Sequence, residues 1–176
     1  MKSNRGFTIV ELLIVIVVIG ILAAITIVAF NGIQNRANDN RRNSEMAMYL
    51  KAILAARINS DKTLFQVNNS AYSMGTCTMP ANNPDGTEPR LLDKTHACWV
   101  RYRDNLAKIG AASGMDLSGL QNGDPKGNPY TYDENEGEPS GGVPNNCATD
   151  TPIRYFTGSG TSLANGPAIP KYLPAC

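Results

Sequence analysis

The chain has 176 residues and a mass of 18.9 kDa, enough for one globular domain with an appendage. Sixteen Lys and Arg nearly balance 15 Asp and Glu, which excludes both a polybasic nucleic-acid binder and an acidic disordered tail. All 11 prolines lie at Pro80 or later and 13 of the 16 glycines at Gly75 or later, so a helix-permitting N-terminal third precedes a turn-rich remainder, unlike an ordinary cytosolic enzyme.

From Leu12 to Phe30 run 19 residues without a charge, 14 of them Leu, Ile, Val or Phe. As a helix they span about 28 Å, close to the hydrocarbon thickness of a bilayer. At roughly −0.3 to −0.6 kcal/mol each for a central position, the 14 favour insertion by about 4–8 kcal/mol. Eleven of the 19 are β-branched and poor helix formers in water, but a single segment in lipid must satisfy its own backbone and so becomes helical. The run is longer than the apolar stretch of a usual removable signal peptide. Neither a signal peptide nor a plain anchor accounts for Glu11. A carboxylate that sinks to the bilayer centre costs about 2.5–3.5 kcal/mol, so an ionisable group at the edge of a span marks a function that involves a partner.

The stretch Arg5-Gly6-Phe7-Thr8-Ile9-Val10-Glu11-Leu12-Leu13-Ile14 resembles the N-terminal signature of type IV pilins and the related pseudopilins. The resemblance covers residues 1–58. It implies that residues 1–6, with Lys2 and Arg5, are a basic leader held in the cytoplasm by the positive-inside rule. It further implies that prepilin peptidase cleaves after Gly6 and that the new N-terminal residue, Phe7, is methylated. Glu11 matches the acidic residue that recruits subunits. Pairing with the Phe7 amine of a neighbouring subunit gives Glu11 an escape from an unpaired charge in lipid, and so makes it a register device for assembly. In an isolated subunit the only aid to its charge is the nearby helix N-terminus.

No proline interrupts the chain after Phe30. Asn31 to Glu45 is polar nearly all round, and Arg36, Arg41 and Arg42 read as a solvated or subunit-facing stretch because Asp39 and Glu45 are interleaved. From Met46 an amphipathic pattern returns: Ala47, Leu50, Leu54 and Ile58 recur at helical spacing, with Met46 and Ile53 beside them. The reading is one helix over residues 7–59, on the order of 80 Å long, with its assembly and membrane part at about 7–30 and a domain-facing second half.

Residues 60–176 form the expected globular domain. Turn signals at Asn83-Pro84-Asp85-Gly86, Asn122-Gly123-Asp124-Pro125, Lys126-Gly127-Asn128-Pro129 and Ser140-Gly141-Gly142 separate short candidate strands at 129–133 and 152–157. Trp99 to Ala112 reads as a second helix, with Leu106 and Ile109 inward, although Ala97 to Arg103 alternates well enough for a strand. The fold class is therefore α+β: a long N-terminal helix, membrane-spanning in its first half, packed on a small antiparallel sheet, pilin-like. Asp124-Pro125-Lys126-Gly127-Asn128-Pro129-Tyr130 is similar to a turn of the major pseudopilins of type II secretion, but their proline-rich segment after the long helix is missing at residues 61–80. A pilus subunit is favoured, with a secretion pseudopilin as the alternative.

Cys77, Cys98, Cys147 and Cys176 all lie in the exported part, and an even count there implies disulfides with three possible connectivities. Nearest pairing joins Cys77 to Cys98 and Cys147 to Cys176, and the resemblance implies a C-terminal disulfide loop of the second kind. No CxxC pair points to zinc or redox chemistry. Asp133, Glu134, Glu136 and Glu138 form an acidic run; calcium is the metal these oxygens suit, but a solvated loop without metal or other cofactor is the plainer reading. Trp99-Val100-Arg101-Tyr102-Arg103 interleaves bases and aromatics as DNA stacking requires, yet reads better as a core element with exposed arginines. His96 is the only histidine and has no ligand or nucleophile pattern around it. No catalytic constellation is visible, so a membrane-tethered enzyme or binding module is disfavoured. The expected protein is a single-pass precursor with its C-terminus outside, then a homo-oligomeric helical filament serving adhesion, motility or DNA uptake. By resemblance it depends on the peptidase, a platform membrane protein and a motor ATPase.

Overall fold

A computed structural model describes residues 8–69, 87–139, 147–157 and 162–172. Helix α1 spans Ile9–Ser60, close to the expected 7–59. It ends where Asp61 enters the left-handed region at φ +53°, which breaks the helical repeat without a glycine. The described residues belong to two compact units, one up to Asn40 and one from Arg41 onward.

In the first unit α1 is bare. Among the described side chains its large apolar ones from Ile9 to Ile33 are 48% to 85% exposed, and its most apolar window has no buried share at all. Soluble proteins rarely leave so long an apolar surface uncovered, and length and composition both suit a bilayer crossing.

In the second unit the later part of α1 meets helix α2 (Leu64–Asn68), helix α3 (Ala97–Ser113) and a two-stranded antiparallel sheet, β1 (Arg154–Phe156) with β2 (Leu163–Asn165). The class is α+β, as expected. The register pairs Arg154 with Asn165, Tyr155 with Ala164 and Phe156 with Leu163. The expected strand at 129–133 is instead irregular chain with a single bridge, Thr131 to Arg154. Pro129 at the head of that segment has no N–H to give a longer ladder. Strand β2 escaped sequence reading because three residues with one large apolar side chain carry no alternation signal.

Helix α3 wins over the alternating pattern because its start is capped. His96 Nδ1 accepts from Cys98 N at 3.3 Å, and Gly114 closes the other end at φ +72°. The sole histidine is thus a helix cap. Trp99, Tyr102, Leu106 and Ile109 enter the core with Tyr49, Ile53 and Leu64. Trp99 Nε1 donates to Pro89 O at 2.8 Å and the Tyr102 hydroxyl to Leu120 O at 2.7 Å, so both large rings are buried without an orphaned polar end.

The buried face of α1 is rotated from the expected one. Arg42, Met46, Tyr49, Ala52, Ile53, Ala56 and Arg57 are buried, Leu50 and Leu54 half-buried, and Ala47 and Ile58 exposed, Ile58 at 73%. An apolar-only count missed this stripe because three of its members are Arg or Tyr.

Candidate assembly site

Two sets of residues are chemically placed: the start of α1, and a polar seam along its later part.

At the start, Thr8 precedes the first helical residue and Glu11 lies three positions on. Thr8 N and Thr8 Oγ1 both donate to Glu11 Oε2 at 2.8 Å, and Glu11 N donates to Thr8 Oγ1 at 3.2 Å. This is a reciprocal capping box, worth about 1 kcal/mol to a helix start. The expectation that an isolated subunit offers Glu11 only a nearby helix N-terminus is therefore corrected: Thr8 already supplies two donors. The spacing Thr8-Ile9-Val10-Glu11 carried that signal. Gly6 and Phe7, the expected processing residues, lie outside the described residues.

Along the seam, four side chains of α1 each meet a partner from the following chain. Arg42 is buried, with Nε 3.5 Å from Asp124 Oδ2 and its guanidinium 4.5 Å from the Tyr155 ring centroid. Its expected solvated role is thus replaced by an interior one. Glu45 accepts from the Tyr130 hydroxyl at 2.6 Å and pairs with Arg41 at 2.7 Å. Burial and the Glu45 carboxylate both push the Tyr130 phenol upward, so it stays a donor. The Tyr49 hydroxyl donates to that of Tyr132 at 3.3 Å with the rings edge-on, and Asn68 Nδ2 reaches Tyr132 at 3.1 Å and Glu134 Oε1 at 2.5 Å. Arg57, 1% exposed, donates to Asp150 and, at 2.6 Å, to Pro170 O, with Glu136 Oε2 3.6 Å away. Burial raises the Asp150 carboxyl from its ordinary value; backbone donors from Glu136 and Asn135, together with Arg57, oppose that rise.

The turn at 124–130 is what presents Asp124 and Tyr130. Asp124 Oδ1 accepts from Lys126 N and Asn128 N at 2.9 Å each, and Asp124 N donates to Asn128 O at 2.7 Å. Gly123 sits at φ +84°, and a Cβ there would lie 2.2 Å from Asn128 O, so glycine is required. The turn that resembles a pseudopilin motif is therefore a clamp on α1.

The calcium candidates are spread apart by these commitments. Glu134 points inward to Asn68, and both Glu136 oxygens accept from Tyr172 N at 2.9 Å. Asp133 and Glu138 are half-buried, and among the described residues no three acidic, His or Cys side chains converge as metal ligands. Cys98 and Cys147 are both disulfide-bonded; Cys77 and Cys176 lie outside the described residues. Trp99 and Tyr102 are fully buried and offer no ring face for base stacking.

Residues 1–27 match the family model described as the prokaryotic N-terminal methylation motif. A fimbrial protein of Pseudomonas aeruginosa is 29% identical over 128 residues, covering 68% of this chain and 77% of that one. A type IV major alpha-pilin of Moraxella bovis is 32% identical over 90 residues, 47% of this chain and 57% of that one. The type IV wide pilus major component of Thermus thermophilus is 33% identical over 90 residues, 47% of this chain and 62% of that one. No solved structure matches. A methylation motif at the head of a bare apolar helix, a fimbrial protein matched along 68% of the chain and two type IV pilus components matched along 47% of it make this chain similar to the type IV pilins, structural subunits rather than enzymes.

Proposed function

We propose that the chain is the structural subunit of a type IV pilus, made as a membrane precursor with its C-terminus outside. Prepilin peptidase cuts between Gly6 and Phe7, Phe7 is methylated, and the apolar part of α1 leaves lipid for the core of a filament. The observation that carries this reading is the bare helix from Ile9 to Ile33, with one carboxylate, Glu11, at its beginning. Lipid covers such a surface in the precursor, and sibling helices cover it in a polymer. Glu11 then exchanges its Thr8 donors for, or shares them with, the amine of a neighbour's Phe7. On this reading the partners are further copies of the chain, the peptidase, a platform membrane protein and a motor ATPase. The filament lies outside the cell and serves adhesion, motility or DNA uptake.

Mass spectrometry of the mature protein tests the processing. The expected N-terminus is an N-methylated Phe7, and Gly6→Val is expected to leave a precursor heavier by the six-residue leader. Recovery of surface protein that still carries Met1 would sink the reading. The Asp124–Tyr130 turn favours a second reading, a pseudopilin of type II secretion. Electron microscopy of overexpressing cells separates the two: long surface fibres support the pilus, and short periplasmic ones the pseudopilin.

A further inference from the structure

The last described residues, 167–172, lie across the end of α1 as a strap. Pro167 and Pro170 have no N–H to give a ladder. Ile153 N donates to Pro167 O at 3.0 Å, and Ile169 is the one buried side chain of the strap. Beyond Pro167, among the described residues, every polar hold on the strap comes from a side chain. Arg57 donates to Pro170 O at 2.6 Å, both Glu136 oxygens accept from Tyr172 N at 2.9 Å, and Asp61 Oδ1 accepts from the Tyr172 hydroxyl at 2.7 Å.

Two of these holders belong to an unbalanced cluster. The side chains of Arg57, Asp150 and Glu136 are each 1% exposed, and one guanidinium serves two carboxylates: it donates to Asp150 and lies 3.6 Å from Glu136 Oε2. The surrounding elements carry Asp61 and Lys62 just after α1, Tyr132, Asp133, Glu134 and Glu138 in the segment of Glu136, Arg154 on β1, and Lys171 with Tyr172 on the strap. None of these cations is buried. Among the described residues the only buried cation besides Arg57 is Arg42, which is engaged by Asp124 and the Tyr155 ring. The interior under the strap therefore carries one negative charge in excess. Such a charge is strongly disfavoured, and a proton relieves it. Burial holds the Asp150 carboxyl above its ordinary 3.8, and Glu136 adds to that rise against backbone donors and Arg57.

We propose that the strap closes with uptake of one proton, so that it grips α1 more firmly in mild acid and loosens as rising pH leaves both carboxylates charged. With the strap lifted, water reaches Asp150 and its carboxyl returns toward its ordinary value; with the strap down, that value is higher. The closed form therefore holds the proton more tightly. Its advantage is complete below pH 3.8 and is lost as the pH rises through the closed-state value. The excess negative charge then pushes on Glu136, the carboxylate that holds Tyr172 N. The device lies entirely in the unit from Arg41 onward and does not depend on polymerisation.

The test uses the full chain in detergent with a metal chelator present, and reads hydrogen exchange at the Tyr172 amide by NMR, corrected for the intrinsic rate at each pH. Protection is expected to be at least about threefold higher at about pH 4.5 than at about pH 8, with its midpoint at that of the Asp150 carboxyl in a carbon-detected titration. Glu136→Gln keeps an oxygen for Tyr172 N and removes the excess charge, so its protection is expected to match the acid value of the wild type at both pH values. Asp61→Asn removes the other carboxylate that holds the strap, and is expected to leave the ratio between the two pH values unchanged. The proposal is overturned by protection that is flat or falls toward acid, by a protection midpoint apart from that of Asp150, or by loss of the ratio in Asp61→Asn. Faster exchange than wild type at about pH 8 in a folded Glu136→Gln also overturns it, because charge then holds the strap rather than loosening it. If that variant does not fold, the two wild-type midpoints decide alone.

Discussion

Glu11→Gln separates the helix cap that Glu11 completes with Thr8 from the subunit pairing proposed for it. Both hydrogen bonds from Thr8 end on a single oxygen, Glu11 Oε2, at 2.8 Å. Glutamine at the same helical position keeps an oxygen for those bonds and completes a capping box as well as glutamate does. The helix start therefore loses little. What vanishes is the charge. If a neighbour's Phe7 amine pairs with Glu11 inside the polymer, the variant leaves that amine buried and uncompensated. Removing one member of such a pair costs about 3–5 kcal/mol, a factor of roughly 10²–10³ or more in subunit addition. Thr8→Ala reverses the logic. It removes the cap, about 1 kcal/mol, and keeps the charge, so it is expected to weaken addition only about fivefold. The assay is the yield of sheared surface filament relative to mature subunit in the membrane, with mass spectrometry checking that cleavage still occurs. The expected order is wild type, then Thr8→Ala, then far below them Glu11→Gln and Glu11→Val. Equal losses in Thr8→Ala and Glu11→Gln would show that Glu11 is a helix cap and nothing more, and near-normal filament yield in Glu11→Gln refutes the pairing outright.

Three further outcomes follow from the second unit. Arg57→Ala strands the buried carboxylates of Asp150 and Glu136, and is expected to destabilise the head by about 3–5 kcal/mol, a drop of roughly 10–20 °C in Tm by near-ultraviolet circular dichroism. Gly123→Ala forces an L-residue to φ +84° with its Cβ 2.2 Å from a backbone carbonyl, and is expected to lower stability by more than about 2 kcal/mol in the same assay. The Asp93 carboxyl is held below its usual 3.8 by hydrogen bonds from the Thr95 hydroxyl and Thr95 N, both 2.7 Å. Because the folded value is the lower one, this contribution to stability is present above pH 3.8 and fades as acid takes the pH down through the folded value. A carbon-detected NMR titration is expected to place Asp93 below 3.8, and Thr95→Ala, which keeps the backbone donor, to raise it part of the way back; an unmoved Asp93 signal in that variant refutes the assignment.

The first half of the long helix was legible because its signal is composition, and composition survives whatever packs against it. The helix at Ala97–Ser113 was legible in part: Leu106 and Ile109 gave its inward face, while Ala97 to Arg103 also alternated like a strand and only the caps at His96 and Gly114 decide for the helix. The seam was not legible. Arg42 read as solvated or subunit-facing and Arg57 drew no reading, because nothing near either one in sequence names Asp124 or Asp150, 82 and 93 positions away. Long-range polar pairs leave no period. The acidic run at 133–138 was read as a solvated loop for the same reason: nothing in its sequence shows that the chain turns Glu134 inward to Asn68 and Glu136 to Arg57 and Tyr172.

The polar character of that seam is itself informative. Buried charge pairs add little net stability over well-packed apolar residues of the same size. Had stability been all that mattered, a greasy stripe from Arg42 to Arg57 would serve. Yet the same helix already carries one greasy stripe, from Ile9 to Ile33, which on the proposed function must remain free for lipid and for other copies. A second one would leave the head no means of choosing which part of the helix to grip, since apolar contact is nearly indifferent to register. Directional partners remove that freedom. Arg42 with Asp124, Glu45 with Tyr130, Tyr49 with Tyr132 and Arg57 with Asp150 are met together in a single register, and a slide of one helical turn breaks all four. We infer that the head is keyed to its stretch of helix by hydrogen bonds and charge, so that the apolar stretch is left to the membrane and the polymer.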